Sequence, residues 1–452
     1  MNEGWGRTSS VAGGLAAGLT LLLVGAMGGR PEIALLGVAP VIAAAWDLTR
    51  RTGGRVDVTL RRGREGLPDG GPDGVGPAPD IETIDDTPGD GRLRARVHIE
   101  VPDGTAAVRL RVGRAGSTTT AALVRVDRTR DVGVTVRTVR TGPQDLVRAE
   151  AQGVGAGFAT IDDPVSSAPR EVLLLPAARR LGPLPLPFRL RGLTGAHESQ
   201  RPGDGGGLRD VHPFVPGDRL RRIDWRVTAR RSPDLSELYV RRTFALADAV
   251  VMLVVDSRDD VGPDPATWSG FEPVRPQDPT SLDLARQAAA SIARDLVAVG
   301  DRVGLDDLGV RRRPVAPGGG RRQLDRIVHR LALTHPEGEP TVRLRAPQLP
   351  SGALVVVFST FLDDAAARAA RSWRRSGHRV VAVDVLPRVR AAALNQRERL
   401  ALRLVVIERT DRLAELAANG VELVPWAAGD PAVELARLAR RSHRRPGAGV
   451  AR

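Results

Sequence analysis

The spacing of apolar and polar positions changes character three times along this chain. From Val11 to Gly29 ("VAGGLAAGLTLLLVGAMGG") there is neither charge nor alternation. A second apolar run, Ile33 to Trp46 ("IALLGVAPVIAAAW"), follows Arg30, Pro31 and Glu32. An uncharged run of about 20 residues is what a helix needs to cross a bilayer. Residues 1–50 are therefore expected to form a transmembrane helical hairpin, with Pro31 in its turn and Trp46 at an interface. Arg7 precedes the first run, and Arg50, Arg51, Arg55, Arg61 and Arg62 follow the second. That asymmetry predicts a cell-membrane protein with the bulk of its chain in the cytoplasm. A cleaved signal peptide also fits the first run, through its basic start and the small residues near Ala26, and a buried core helix fits the second. The signal-peptide reading leaves the second run and its arginine flank unexplained.

Residues 51–90 turn to Gly, Pro and acidic side chains, the composition of a flexible linker. The period then becomes two. Leu93, Ala95, Val97, Ile99 and Val101 alternate with Arg94, Arg96, His98 and Glu100. Val108–Val112, Leu123–Val126 and Val132–Val139 repeat the pattern, and shorter runs follow at Leu146–Ala149, Gly157–Ile161 and Val172–Leu175. Short strands separated by turn residues predict an antiparallel β-sandwich-like domain over 91–200, with the arginines and His98 on its solvent face.

Beyond residue 245 the runs are apolar throughout. "AVVMLVVD" (Ala249–Asp256), "GALVVVFST" (Gly352–Thr360) and "HRVVAVDVL" (His378–Leu386) read as strands buried on both faces. A further strand fits Asp301–Leu308, and another fits "VELVPW". Helical patterns lie between them at Leu282–Val299, Gln323–Leu333, Asp364–Arg374, Asp411–Ala418 and Pro431–Arg441. This alternation predicts a Rossmann-like α/β domain over 246–440, followed by a basic tail at 441–452. The expected fold class is thus α+β multidomain: hairpin, sandwich-like domain and α/β domain.

Composition narrows the chemistry. The 452 residues include no cysteine, which excludes disulfides, thiolate metal sites and a Cys nucleophile. All 67 basic residues are arginine and the formal charge is +14. With 50 Gly and 34 Pro, part of that arginine reflects GC-rich coding. A nucleic-acid binder should interleave aromatic residues, and the chain has one Tyr, so nucleic acid is not expected as a partner. No G-x-G-x-x-G follows the first α/β strand and no phosphate-loop motif occurs. "PGGGRR" (Pro317–Arg322) follows no buried strand. No cofactor is expected.

The densest polar stretch is "LRDVHPFVPGDRLRRIDWRVTAR", within a segment 201–245 that joins the two larger domains. Pro216-Gly217 suits the centre of a type II turn, and Asp218 suits the N-cap of a short helix beginning at Arg219. Arginines on both sides of Asp224 suggest ion pairs along that helix, and Trp225 suggests a buried face with an arginine stacked on it. Ser232 and Ser236 lack the context of an activated nucleophile. The stretch reads as a structural corner or docking element, not as a catalytic site.

Arg209, Pro216, Gly217, Asp218, Arg222, Ile223, Asp224, Trp225, Ala229 and Arg230 stand at the places of a longer signature, R-x-Y-x-P-G-D-D-x-R-x-I-D-W-x-x-x-A-R. That signature resembles the "domain of unknown function 58" family, with Phe214 for the usual Tyr and Arg219 for the second Asp. The resemblance implies membrane helices, a β-rich segment and a von Willebrand factor A-like domain. It also implies an adaptor or assembly role beside an AAA+ ATPase of the MoxR type and other von Willebrand A membrane proteins. Such a domain would hold a metal ion at D-x-S-x-S, a pattern that here reads "DSRDD". Asp256 keeps the first place, Arg258 replaces the first Ser, Asp260 the second, and Thr360 stands for the later Asp. A guanidinium among the ligands would repel a hard cation, so a degenerate remnant without metal is expected. The implied function is non-enzymatic. The alternative is a nucleic-acid or anionic-lipid binder using the arginine-rich surfaces.

Overall fold

The computed structural model describes residues 5–49, 54–62, 82–84, 92–113, 119–145, 147–155, 158, 160–168, 171–190, 195–310, 312–337 and 349–443. Residues 1–139, 143–173 and 275–277 make one unit, and residues 140–142, 174–274 and 278–452 a second.

The first unit begins with β1 (Trp5–Arg7), α1 (Ser9–Met27) and α2 (Pro31–Thr49), then β2 (Asp57–Arg62), β3 (Glu82–Ile84), β4 (Arg92–Glu100), β5 (Thr105–Gly113) and β6 (Thr120–Val124). β7 (Thr129–Arg137), β8 (Gly142–Asp145), β9 (Arg148–Gly155), β10 (Thr160–Asp162), β11 (Val165–Ser166) and β12 (Glu171–Leu174) follow. One antiparallel sheet runs β2-β4-β7, another β1-β10-β9-β5-β6, and a third β3-β12-β8. The alternation seen in the sequence does the work: Val58, Val97 and Ile99 from the first sheet meet Val108, Leu110, Ala149 and Ala151 from the second in one core. His98 points the other way, 2.7 Å from Asp131. The expected linker over 51–90 contains β2, whose Val58 enters this core, and the short β3. Residues 51–53, 63–81 and 85–90 of that linker, and 444–452 of the basic tail, lie outside the described residues.

α1 and α2 form a hairpin held by small residues. A Cβ on Gly25 would lie 2.3 Å from the Ala34 backbone nitrogen, and one on Gly37 2.5 Å from the Gly18 carbonyl oxygen, so the helices touch backbone to backbone there. The transmembrane spans expected of it are not supported. Among the described residues no helix is long and apolar enough to cross a membrane. Each helix has 19 residues, about 28 Å at 1.5 Å per residue, against a hydrocarbon core of about 30 Å. Glycines dilute α1, and Glu32 and Pro40 interrupt α2.

The second unit comprises β13 (His197–Pro213), α3 (Trp225–Arg231), β14 (Tyr239–Ala247), β15 (Val250–Val255), α4 (Ser281–Ala298), β16 (Arg302–Asp307), β17 (Val315–Gly318) and α5 (Arg321–Ala332). It ends with β18 (Leu354–Ser359), α6 (Asp364–Arg375), β19 (Arg379–Asp384), α7 (Gln396–Ala418), β20 (Glu422–Pro425) and α8 (Pro431–His443). The sheet order is β17-β16-β15-β18-β19-β20, parallel except for β17. Leu253 and Val255 on one face pack with Leu282, Ile292, Ile327 and Leu435. Val254, Val355 and Val357 on the other pack with Ala366, Ala370, Trp373 and Leu416. Helices on both faces explain why these strands carry no polar alternation. The chain is a mixed α/β protein.

"PGGGRR", set aside as a phosphate loop because no buried strand precedes it, supplies the end of the partly exposed edge strand β17 and the start of α5. One helix differs from the sequence reading. α7 extends 15 residues N-terminal to the expected helix start at Asp411, opened by a capping box between Asn395 and Glu398. Its first half hides from periodicity because leucines and valines lie on opposite sides of it, so the two apolar faces cancel.

Candidate functional site

β15 feeds β16 on one side, and β18 lies on its other side, so the direction of winding reverses between β15 and β18. Ligands of open α/β sheets bind at the carboxyl ends of the strands at such a switch point. There the chain places Asp256, Ser257 and Arg258 after β15, and Ser359 to Asp363 at the end of β18 and beyond it.

Arg258 fills that position. Its side chain is 4% exposed, with Nε 2.8 Å from Asp256 Oδ1 and Nη2 2.8 Å from Asp256 Oδ2. The opposite edge of the same guanidinium meets Asp363, at 2.6 Å from Nη1 and 2.9 Å from Nη2. Ser359 Oγ donates to Asp256 Oδ2 at 2.7 Å and accepts the Phe361 amide. Burial alone would lower the Arg258 pKa, but the hydrogen bonds and charges of the two aspartates more than offset it and hold it raised. Asp259 beside it is pushed up to about 6, by burial first and then by the charges of Asp256 and Asp363. Asp307 is also raised by burial, against hydrogen bonds from Ser257 Oγ at 2.6 Å and the Gly309 amide at 2.9 Å. Phe361, fully buried, adopts φ 53° directly after this cluster, a conformation that bulky residues rarely take.

The three residues named as a metal-site remnant do not converge. Asp256 is bound to Arg258, while Asp260 turns to the start of α4, where it accepts the Leu282 amide at 3.3 Å and lies 3.7 Å from Arg140. Thr360 accepts Arg409 Nε at 2.7 Å through its carbonyl, and its hydroxyl accepts the Leu362 amide at 3.3 Å and bonds to Asp259. Among the described residues no group of three or more acidic or histidine side chains could hold a metal ion. The residues present do not fit a divalent cation, because a protein cation takes up both oxygens of the central carboxylate. Sequence reasoning missed Asp363, Asp259 and Asp307. Asp363 could have been found as the N-cap of α6, since it accepts the Ala365 amide.

The signature residues lie elsewhere in this unit, at the tip of a long two-stranded ribbon. β13 and β14 pair antiparallel from His197↔Ala247 to Pro213↔Tyr239, with irregular register between Ser199 and Asp210, where the Gly-rich stretch lies. At the tip, Asp218 N donates to the Val215 carbonyl at 3.0 Å with Gly217 at φ 102°, as expected of the Pro216-Gly217 turn. Asp218 does not cap a helix. Its carboxylate accepts the Val215 amide and lies 3.6 Å from both His212 and Arg242, and these interactions, the amide first, lower its pKa. The cap is Asp224, whose Oδ1 accepts the Arg226 and Val227 amides at 3.1 Å while Oδ2 faces Arg241 at 3.1 Å. The expected ion pairs along the helix are thus replaced by one across to β14. Arg222 Nη2 donates to the Gly203 carbonyl at 3.0 Å, tying the tip to the irregular strand, and Arg209 lies 3.9 Å from Asp210.

Trp225 is not buried, and among the described residues of this unit arginines lie over the rings of Trp426, Tyr239 and Phe188 instead. It is 61% exposed, beside Leu220 at 68% and Val215 at 43%, with Arg219, Arg221, Arg226 and Arg230 exposed around them. The tip therefore exposes apolar side chains among arginines, with Asp218, Arg222 and Asp224 held by hydrogen bonds within it.

The family described as "Protein of unknown function DUF58" matches residues 210–403, a span that begins at the ribbon and runs into α7. The Mycobacterium tuberculosis protein named "Uncharacterized protein Rv1480" and the Mycobacterium bovis protein named "Uncharacterized protein Mb1516" are each 28% identical over 244 residues, covering 50% of this chain and 67% of theirs.

Proposed function

Over residues 210–403 the chain belongs to the DUF58 family, and from that premise we propose a non-enzymatic, membrane-anchored docking protein with the bulk of its chain in the cytoplasm. It works with an AAA+ ATPase of the MoxR type in assembling or remodelling another complex, and its α/β unit is von Willebrand A-like with the metal position taken by Arg258. The observation that carries this reading is the ribbon tip. A tryptophan and a leucine held more than half exposed by three buried or half-buried anchoring side chains is costly to maintain unless something covers them. The exposed Leu19, Leu23, Val24, Met27, Leu35, Leu36, Ile42 and Trp46 of the helical hairpin support anchoring in lipid.

The test is co-purification from a detergent extract of the native host, comparing wild type with Leu220→Ala plus Trp225→Ala at equal melting temperature. Recovery of an AAA+ ATPase by wild type and its loss with the variant is the expected result; equal recovery would move the interface away from the tip. Flotation with vesicles tests the anchor, and deletion of residues 1–50 should abolish it.

A second reading, binding to an anionic polymer or lipid surface, is favoured by one shallow concavity lined by Arg312, Arg313, Arg326, His329 and Arg330 over Val315 and Leu333. Retention on duplex DNA that falls steeply with salt would favour it over the docking reading.

A further inference from the structure

α7 has 23 residues, and Leu416 is its one fully buried side chain. Leu402, Val405, Arg409, Arg412 and Leu413 are half-buried on the side that faces the sheet. On the opposite side Leu400, Leu404 and Ile407 stand 62%, 57% and 50% exposed. Their spacing of four and then three is the d-a-d seam of a heptad. A preformed helix, capped by Asn395 and Glu398 and bolted down by Arg409 and Arg412, thus presents an apolar seam outward.

The charges beside that seam say what covers it. With Leu404 at position a, Arg403 takes position g and Glu408 position e. In a parallel pair of helices, g of one chain meets the e five residues later on the other, so Arg403 of each copy faces Glu408 of the other and the symmetric pair holds two such ion pairs. An antiparallel pair would set arginine against arginine and glutamate against glutamate. Asp411 follows at the next a position and closes the seam, because like charges would meet there across the axis.

We infer that the outward face of α7 is a self-association surface, which joins two copies of this chain through parallel packing of Leu400, Leu404 and Ile407 with reciprocal Arg403–Glu408 ion pairs. This inference stands apart from the docking of any ATPase at the ribbon tip.

The chain has no cysteine, which makes the test clean. Full-length Leu404→Cys in mild detergent should form a disulfide-linked dimer on gentle oxidation, since a parallel seam brings position 404 onto its own copy. Val406→Cys, 44% exposed but on the flank of the helix, should not. Adding Arg403→Glu to Leu404→Cys should cut cross-linking about tenfold, and adding Glu408→Arg as well should restore it. All variants are compared at matched melting temperature. Absence of the Leu404→Cys dimer, equal cross-linking at 406, or indifference to charge reversal would each overturn the assignment.

Discussion

Replacing Arg258 by Met keeps most of the side chain's apolar stem and removes its charge, leaving Asp256 and Asp363 facing one another without a cation. The guanidinium makes four hydrogen bonds to the two carboxylates, at 2.6 to 2.9 Å, from a side chain 4% exposed. Deleting one partner of a buried, hydrogen-bonded pair costs about 3–5 kcal/mol, because the remaining charge stays desolvated. Asp363 is half exposed and recovers some hydration, so the lower end, about 3 kcal/mol, is the expectation. At roughly 2–4 °C per kcal/mol for a unit of this size, melting should fall by about 6–12 °C. Chemical denaturation of the full chain, followed by tryptophan fluorescence, gives the free energy directly. Arg258→Lys should fall between the two, since it keeps the charge and loses the forked geometry. Adding Asp256→Asn to Arg258→Met should recover part of the loss, since neither charge of the pair is then left alone. A cost below about 1 kcal/mol for Arg258→Met would refute the reasoning, by placing the guanidinium in contact with water as an ordinary surface pair.

Asp259 titrates near 6 in the folded chain against an ordinary 3.8, so its contribution is full below 3.8 and is lost as pH rises through 6. Asp259→Asn should therefore stabilise the chain at neutral and alkaline pH and change nothing in strong acid, as read by denaturant midpoints across that range. His197, 2.9 Å from Asp301, has its pKa raised above 6.5, first by that hydrogen bond and then by the charges of Asp301 and Asp248. The stability it lends is complete below 6.5 and disappears as pH rises through the raised value, and His197→Gln should remove that slope. Asp224→Ala should cost about 1 kcal/mol through loss of the α3 cap, whereas Trp225→Ala should change stability by less than about 0.5 kcal/mol; a large loss at Trp225 would mean the ring is packed after all.

The α/β unit was legible because parallel strands covered on both faces leave continuous apolar runs, and Ala249–Asp256, Gly352–Thr360 and His378–Leu386 each became a strand of the sheet. The antiparallel strands were legible for the opposite reason, through the alternation of Val97 and Ile99 with His98. The ribbon was not, because "RPGDGGG" carries the composition of a loop yet falls within β13, where Pro202 and Gly203 pair with β14 and the register then shifts to Leu208. In the signature, the residue types were read correctly and two of their partners were not. Asp218 and Asp224 both precede helical turns, and only the backbone decides which one aims its carboxylate at free amides. Trp225 was expected inside because large aromatic side chains usually are, and nothing in a local pattern marks a strand tip that projects from its sheet.

The carboxyl ends of these strands also answer where the chemistry of the chain has gone. Arg258 occupies Asp256 and Asp363, Arg409 pairs with Asp384 at the end of β19 and reaches the Thr360 carbonyl, and Arg412 binds the Phe361 carbonyl and Asp364. Three guanidinium groups thus bind Asp256, Asp363, Asp384 and Asp364 and the Thr360 and Phe361 carbonyls at or just beyond the ends of β15, β18 and β19, where open α/β sheets usually place their ligands. Two of the three come from α7, whose outward face is apolar. A site closed by its own cations has no need of an exogenous one, and the helix that helps close it is held in one orientation. Exposed hydrophobic side chains of this unit include Val215, Leu220 and Trp225 at the ribbon tip and Leu400, Leu404 and Ile407 on α7, both elements that carry polar anchors on their other side. Rigid apolar patches with charged rims suit protein partners better than small molecules. That contrast between filled strand ends and exposed apolar side chains supports the docking role proposed above.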